Sequence, residues 1–448
     1  MSSTSVTATP APPSAPRAGR SRDRGNVELV RFLSDVLGYI EGMRDDERDL
    51  VPFKLGNLQC HLVTKPEYLK QAMFNEDWPP ISRGRLTNLQ KWYTTGLFLT
   101  YGPDHHRQRD ELWKPLFEEP RITEIAVERT ASHAAAWQQG APVELYTDLR
   151  DLCWTIDWQA LTGEDIAGRP DILRALKLGV DALAWLPLPW GLSRWNWPVP
   201  QSRNTRAAKA KLDALITERI AERRPGGNGH DDLLARLVQQ AERDGVTDDE
   251  HIRATFKMWF GADQLYALFA WTLHLLARNP QVEERWHAEL DEVLGDRPAT
   301  ADDVSKLVYT RNVLKESMRA VPPVWGFFRM MTDDYQLGDG AVIPKGDLMA
   351  MSPWFTHRDP RLWPDPHRFD PERWVEGAER PPDLSYFPFS GGPYECHGNR
   401  LAMKEAVLIM ATLGQRWSYR HADSGEPRPT AKWATEPKGG LRMNPVPR

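Results

Sequence analysis

One segment limits most strongly what this 448-residue chain can fold into. It reads Phe389-Ser390-Gly391-Gly392-Pro393-Tyr394-Glu395-Cys396-His397-Gly398, followed by Asn399-Arg400-Leu401-Ala402. Three glycines and a proline flank the sulfur, so the backbone can turn tightly and approach a flat ligand closely. Leu401, Val407, Leu408 and Ala411 then recur at helical spacing, which puts Cys396 just ahead of a helix N-terminus. Backbone N–H groups and the positive end of the helix dipole stabilise a thiolate there. Such a frame suits a cysteinate held as an axial metal ligand.

The other two cysteines give a different signal. Cys60 lies in Leu58-Gln59-Cys60-His61-Leu62-Val63, which reads as a buried strand, and Cys153 lies in an apolar helical stretch. Both read as small core residues. An odd, widely spaced set of three is a poor disulfide framework and suits a reducing cytoplasm. The mixture of 41% hydrophobic and 27% charged residues is globular, and the length allows a large core. A net charge of −5, from 57 basic and 62 acidic residues, does not point to nucleic acid. No apolar run approaches the roughly 20 residues that span a bilayer. Residues 1–24, rich in Ser, Thr, Ala and Pro, read as a disordered tail rather than a signal peptide. No linker divides residues 25–448, which are expected to form a single domain.

Helical periodicity dominates that domain, over 27–43, 66–74, 105–117, 122–139, 146–161, 172–183, 202–224 and 231–243. Residues 50–55 and 59–63 alternate around Gly56-Asn57 as a β-hairpin, and strand signals return over 328–351. The fold class is therefore mainly α with a small β portion. The longest helical pattern, 248–279, contains Phe260-Gly261-Ala262-Asp263-Gln264-Leu265. A Gly and an Asp inside an apolar helix both cost stability. They fit either a close helix crossing with an exposed Asp, or a helix passing over a cofactor.

Two further motifs follow in order. In Lys315-Glu316-Ser317-Met318-Arg319 the acid and the base share a helix face, and Asp370-Pro371-Glu372-Arg373-Trp374 supplies a later Arg. With the Cys396 loop, this order resembles the cytochrome P-450 family. The family ties its Glu-x-x-Arg pair to the later Arg behind a haem-binding loop, which implies a network of Glu316, Arg319 and Arg373. The resemblance runs from about Arg48 onward and implies the family fold, a long central helix over haem b with Cys396 as the metal ligand beneath. His105 and Arg109, in Gly102-Pro103-Asp104-His105-His106-Arg107-Gln108-Arg109, match the His and Arg that face the haem propionates, as does Arg329. Phe389 and Gly398 match further cofactor-binding positions of the loop, and Gly346 and His357-Arg358-Asp359-Pro360 also fit.

Two positions depart from the family pattern. Tyr394 stands where the family usually has Arg or His, so one cationic partner of a propionate is missing, although a phenol can still donate a hydrogen bond. The family's long helix usually carries an acid followed by Thr, which manage protons at dioxygen. Here the pair is Asp263 and Gln264. A carboxamide both donates and accepts but does not readily pass a proton on. Gln264 therefore either holds water or substrate, leaving relay to ordered water, Asp263 or a substrate hydroxyl, or it packs or caps a helix kink.

Position matches put Trp259, Phe260, Ala262, Val324, Trp325 and Lys438 at substrate. The stretch 183–200, with Trp185, Trp190, Trp195 and Trp197, resembles the variable lid loop and suggests an apolar, polycyclic or aromatic small molecule, although core packing explains some of those tryptophans equally well. The resemblance implies a cytoplasmic, monomeric monooxygenase of secondary metabolism that hydroxylates or epoxidises its substrate with dioxygen. Too few residues follow Cys396 for a fused reductase, so electrons are expected from a separate ferredoxin or flavodoxin and its reductase. The alternatives are an oxidase that couples or cyclises its substrate without oxygen insertion, and a non-catalytic haem sensor or recruitment module.

Overall fold

The computed structural model describes residues 25–75, 91–100, 102–118, 121–183, 200–224, 230–243, 245, 249–338 and 340–448. The expected hairpin forms. Strands β1 (Leu50–Leu55) and β2 (Leu58–Val63) pair antiparallel with Leu55 opposite Leu58, and Gly56 turns the chain at φ +62°, a left-handed value that favours glycine. Downstream, β3 (Phe327–Met330) and β4 (Leu348–Met351) complete a sheet ordered β1-β2-β4-β3, in which β4 runs parallel to β2 and antiparallel to β3. Strand β2 is therefore interior, which explains why all six of its residues, Cys60 included, are buried.

The rest is mostly helical, as the periodicity implies. The 105–117 pattern divides into α1 (Gly102–Arg107), a π-helical turn at Gln108–Trp113 and a short helix at Lys114–Phe117. Helix α2 (Leu145–Thr162) forms over nearly the expected range and buries Cys153. The long pattern at 248–279 is not one helix. It breaks into α3 (Asp249–Ala262) and α4 (Leu265–Arg278), with Gln264 between them at φ −131° and ψ 15°. Apolar spacing continues across the break, so periodicity alone cannot reveal it. Helices α5 (Val308–Ala320) and α6 (Asn399–Gly414) pack with α2 and α4 in the largest core cluster, where Leu268 and Phe269 meet Leu149, Val313 and Leu408. Residues 1–24 and 184–199, which hold the expected tail and nearly all of the expected lid, lie outside the described residues. Among the described residues no helix is long and apolar enough to cross a membrane.

A buried charged network joins α5 to the chain that leads to Cys396. The side chains of Glu316 and Arg319 have no exposed surface and bond through Arg319 Nε to Glu316 Oε2 at 2.9 Å and Nη2 to Oε1 at 2.8 Å. Desolvating two charges is costly, so every remaining valence needs a partner. Arg319 also donates to the carbonyls of His357, Pro366 and Arg368, while Glu316 accepts from the Asp370 N–H and from Trp374 Nε1. Arg373 adds an ion pair, its Nε 3.4 Å from Glu316 Oε1. His357 carries the link onward. Its Nε2 must accept, because the Phe387 N–H 2.9 Å away can only donate, so Nδ1 holds the proton toward the Met318 carbonyl at 3.3 Å.

Replacing Glu316 by Gln leaves the Arg319 charge buried without its carboxylate. It should cost roughly 3–5 kcal/mol, measured by urea unfolding. Burial lowers the His357 pKa to about 3, below its unfolded value of about 6.5. The stability due to the neutral ring is complete above about pH 6.5 and is lost as pH falls, by up to about 1.4 kcal/mol per unit. The His357→Gln variant should therefore show a shallower loss of stability between pH 6.5 and 4 than the parent protein.

Candidate functional site

The Cys396 loop is shaped by one obligatory glycine rather than three. Gly392 has φ +71°, and a Cβ there would lie 2.3 Å from the Met73 carbonyl oxygen, a backbone atom that cannot easily give way. Gly391 is extended, and Gly398, the N-cap of α6, has an ordinary φ of −76°, with a Cβ meeting only normal contacts at Phe117 and the Cys396 sulfur. The Cys396 N–H donates to the Phe389 carbonyl at 2.9 Å, which closes the loop. Cys396 keeps exposed surface although protein atoms crowd its sulfur. Burial raises its thiol pKa, while the Gly398 N–H and the charge of Arg109 pull the other way.

The residues matched to propionates gather beside this loop. His105 of α1 is buried, and neither ring nitrogen has a hydrogen bond of good geometry, although the Leu97 and Thr100 carbonyls lie nearby. Burial lowers its pKa to about 4, so it is neutral at pH 7. Arg109 lies in the π-helical turn and donates to the Pro393 and Glu395 carbonyls at 2.8 and 3.3 Å. Arg329 of β3 is buried and donates to the Ala72 carbonyl at 2.6 Å; burial lowers its pKa to about 10, so it stays charged. Tyr394 joins these groups. Its ring lies 4.8 Å from His105 and 6.0 Å from the Arg329 guanidinium carbon, and its hydroxyl oxygen accepts the Gly102 N–H at 3.2 Å. The phenol thus ties the loop to the start of α1, in the place where the family usually has a cation.

Asp263 and Gln264 form the break between α3 and α4. Asp263 Oδ1 accepts the Leu265 N–H at 2.9 Å, a side-chain cap that replaces the interrupted helical bonding. Gln264 Nε2 reaches the Trp433 carbonyl at 3.4 Å, and its Oε1 is buried without a partner. Trp433 lies in the turn between β5 (Pro429–Ala431) and β6 (Thr435–Pro437), and its indole N–H donates to the Gly261 carbonyl freed by the break. Sequence reading missed Trp433, because no local pattern pairs it with a helix more than 150 residues earlier.

The residues matched to substrate are distributed differently. Trp259 and Phe260 are buried in a second core cluster; Trp259 stacks on Trp113 at 6.1 Å and Phe260 lies 5.9 Å from Trp158. Val324 is half-buried, whereas Trp325 is buried and donates to the Lys432 carbonyl at 2.8 Å, so it anchors the β5–β6 turn. Lys438 is exposed beyond β6, and the Ala262 side chain lies outside the described residues.

The donor set fits a haem. The Cys396 sulfur keeps exposed surface, a buried charged Arg329 and a neutral buried His105 with two unpartnered nitrogens lie by its loop, and a helix break holds an unpartnered Gln264 oxygen. The comparisons agree. The Cytochrome P-450 family profile matches residues 39–445. Cyclooctat-9-en-7-ol 5-monooxygenase of Streptomyces melanosporofaciens is 32% identical over 386 residues, 83% of each chain. Cyclooctatin synthase of the same organism is 32% identical over 412 residues, 89% of each. Pentalenene oxygenase of Streptomyces avermitilis is 28% identical over 399 residues, 86% of this chain and 87% of that one. The crystal structure of the cytochrome P450DA haem domain superposes with a TM-score of 0.84 at 22% identity, covering 97% of this chain and 98% of that one, and shows the shared fold. The chain therefore belongs to the cytochrome P-450 family and is an oxidoreductase of the monooxygenase class.

Proposed function

We propose that the protein binds haem b through the Cys396 thiolate and uses dioxygen to hydroxylate or epoxidise a largely apolar cyclic olefin or olefinic alcohol of secondary metabolism. Electrons come from a separate ferredoxin or flavodoxin and its reductase. The observation that carries this reading is Cys396 itself, a cysteine with exposed surface on a loop tied by hydrogen bonds to the buried Glu316–Arg319 network. The substrate class follows the names of the monooxygenase and oxygenase relatives, which specify a cyclic alkenol and an alkene. When bound, the haem supplies the activation of dioxygen.

This chain's residues supply the rest. His105, Arg109 and Arg329 take the propionates, with Tyr394 as a neutral hydrogen-bonding partner. Phe389 and Gly398 hold the sulfur through the backbone. Gly398 directs its N–H at Sγ, which favours the charged form against burial. Glu316, Arg319 and Arg373 are positioning residues that keep the loop in register. Trp433 bonds to both sides of the break, through Gly261 and Gln264, and Gln264 and Val324 are the residues assigned to substrate contact.

A second reading, oxidative coupling or ring formation without oxygen insertion, draws support from Gln264, whose amide offers no hydroxyl for proton relay. Turnover under isotopically labelled dioxygen separates the two: label is expected in the product, and an unlabelled product would establish coupling. Cys396→Ala should abolish the thiolate signature in the carbonyl difference spectrum and all turnover, with the unfolding midpoint of the haem-free protein nearly unchanged. Gln264→Thr should raise product formed per reductant consumed and lower peroxide release by several-fold, within the range of one positioned proton-transfer group. An unchanged ratio would leave Gln264 a packing residue.

A further inference from the structure

We propose that Asp157 is a positioning residue for proton delivery, forming with Asp263 a carboxylic acid–carboxylate pair that holds one proton at the break between α3 and α4. Asp157 lies in α2, buried beneath the long helix, and its Oδ1 accepts the Trp259 indole N–H at 2.8 Å. Asp263 Oδ1 is occupied by the Leu265 N–H. The two second oxygens, Oδ2 of each residue, are buried and meet no N–H or O–H donor, yet the carboxyls are in hydrogen-bonding contact with each other. Two carboxylates cannot make that contact while both are charged, so the pair must contain a proton.

The surroundings favour one proton rather than none. Glu405 of α6, itself buried, acts on Asp157 and is acted on by Asp263, and the Cys153 thiol lies one turn before Asp157 in α2. The Tyr266 phenol faces Asp263 from α4, with Arg150 and Glu436 acting on that phenol in turn. Among the described residues no cation contributes at Asp263 or Glu405. Burial raises all three carboxyls. Each carboxyl accepts one N–H, Asp157 from Trp259 and Asp263 from Leu265, so the balance is tipped by the positive end of the α4 dipole, which stabilises the charge on Asp263. The proton therefore rests on Asp157, which donates it to Asp263.

This arrangement supplies what Gln264 lacks. Asp263 takes the proton from Asp157 and passes it on toward the break, and the pair then recaptures one proton from water. Only O–H bonds form and break, and no electrons change hands. Trp259 fixes the Asp157 carboxyl through its indole N–H.

The inference rests on the oxygen-insertion reading, but its first measurement reports on the pair whatever the product. Infrared spectra of the haem-loaded protein at neutral pH should contain a protonated-carboxyl band that moves when aspartate carboxyls carry carbon-13 and when water is exchanged for D2O. Labelling of aspartate separates it from Glu405. The band should be absent in Asp157→Asn. Product per reductant consumed should fall roughly tenfold or more in that variant, with an altered pH profile. It should recover in Asp157→Glu and stay within about twofold of the parent in Glu405→Gln. Wild-type protein with no carbon-13-sensitive protonated carboxyl would overturn the proposal, even if Asp157→Asn failed to fold. So would an Asp157→Asn enzyme whose band is lost but whose coupling and pH profile are unchanged, since Asp157 would then be purely structural.

Discussion

The Glu316–Arg319 ion pair is the interaction on which the rest of this site depends. With no solvent on either side chain, the pair is stable only because backbone carbonyls, a backbone N–H and an indole saturate it. Those partners belong to the irregular chain from His357 to Trp374, which has little regular structure to hold it in place. From there the order passes through His357 to Phe387, through the Phe387 carbonyl to Ser390, and through the Phe389 carbonyl to Cys396. The Cys396 loop is thereby fixed to a core helix by hydrogen bonds rather than by apolar packing alone.

The break in the long helix follows a different logic. It frees the Gly261 carbonyl and the Leu265 N–H, and each finds a side chain, Trp433 and Asp263. Satisfying these groups brings a carboxylate, a carboxamide and a C-terminal indole to one point. Where the family usually presents a hydroxyl, this chain presents an amide backed by a buried carboxyl pair. The Cys396 loop thus has cations beside it, Arg109 and Arg329, while the break in the long helix is backed by acids.

Much of this was legible from residue order. Hydrophobic period 2 around Gly56-Asn57 gave the hairpin, and period 3.6 gave the helices, because both depend on neighbours in the chain. The family resemblance was legible at the Cys396 loop because that motif is written in ten consecutive residues. Some expectations changed. The break at Asp263-Gln264 was invisible to periodicity, since apolar spacing continues across it. Trp259 and Phe260 matched substrate positions by alignment, yet they lie in core packing that depends on Trp113 and Trp158 from other helices. Tyr394 looked like a lost cation; the fold shows a phenol accepting the Gly102 N–H beside His105 and Arg329.

The sequence by itself determined the class of fold, the family and the order of the charged residues that precede the Cys396 loop, because each is a local pattern or a recognisable motif. Tertiary structure decided which of those charges lose their water and which polar groups meet. Asp157 and Asp263 are 106 positions apart and read singly as ordinary acids. Only the packing of α2 against the broken long helix removes solvent from both and obliges them to share a proton.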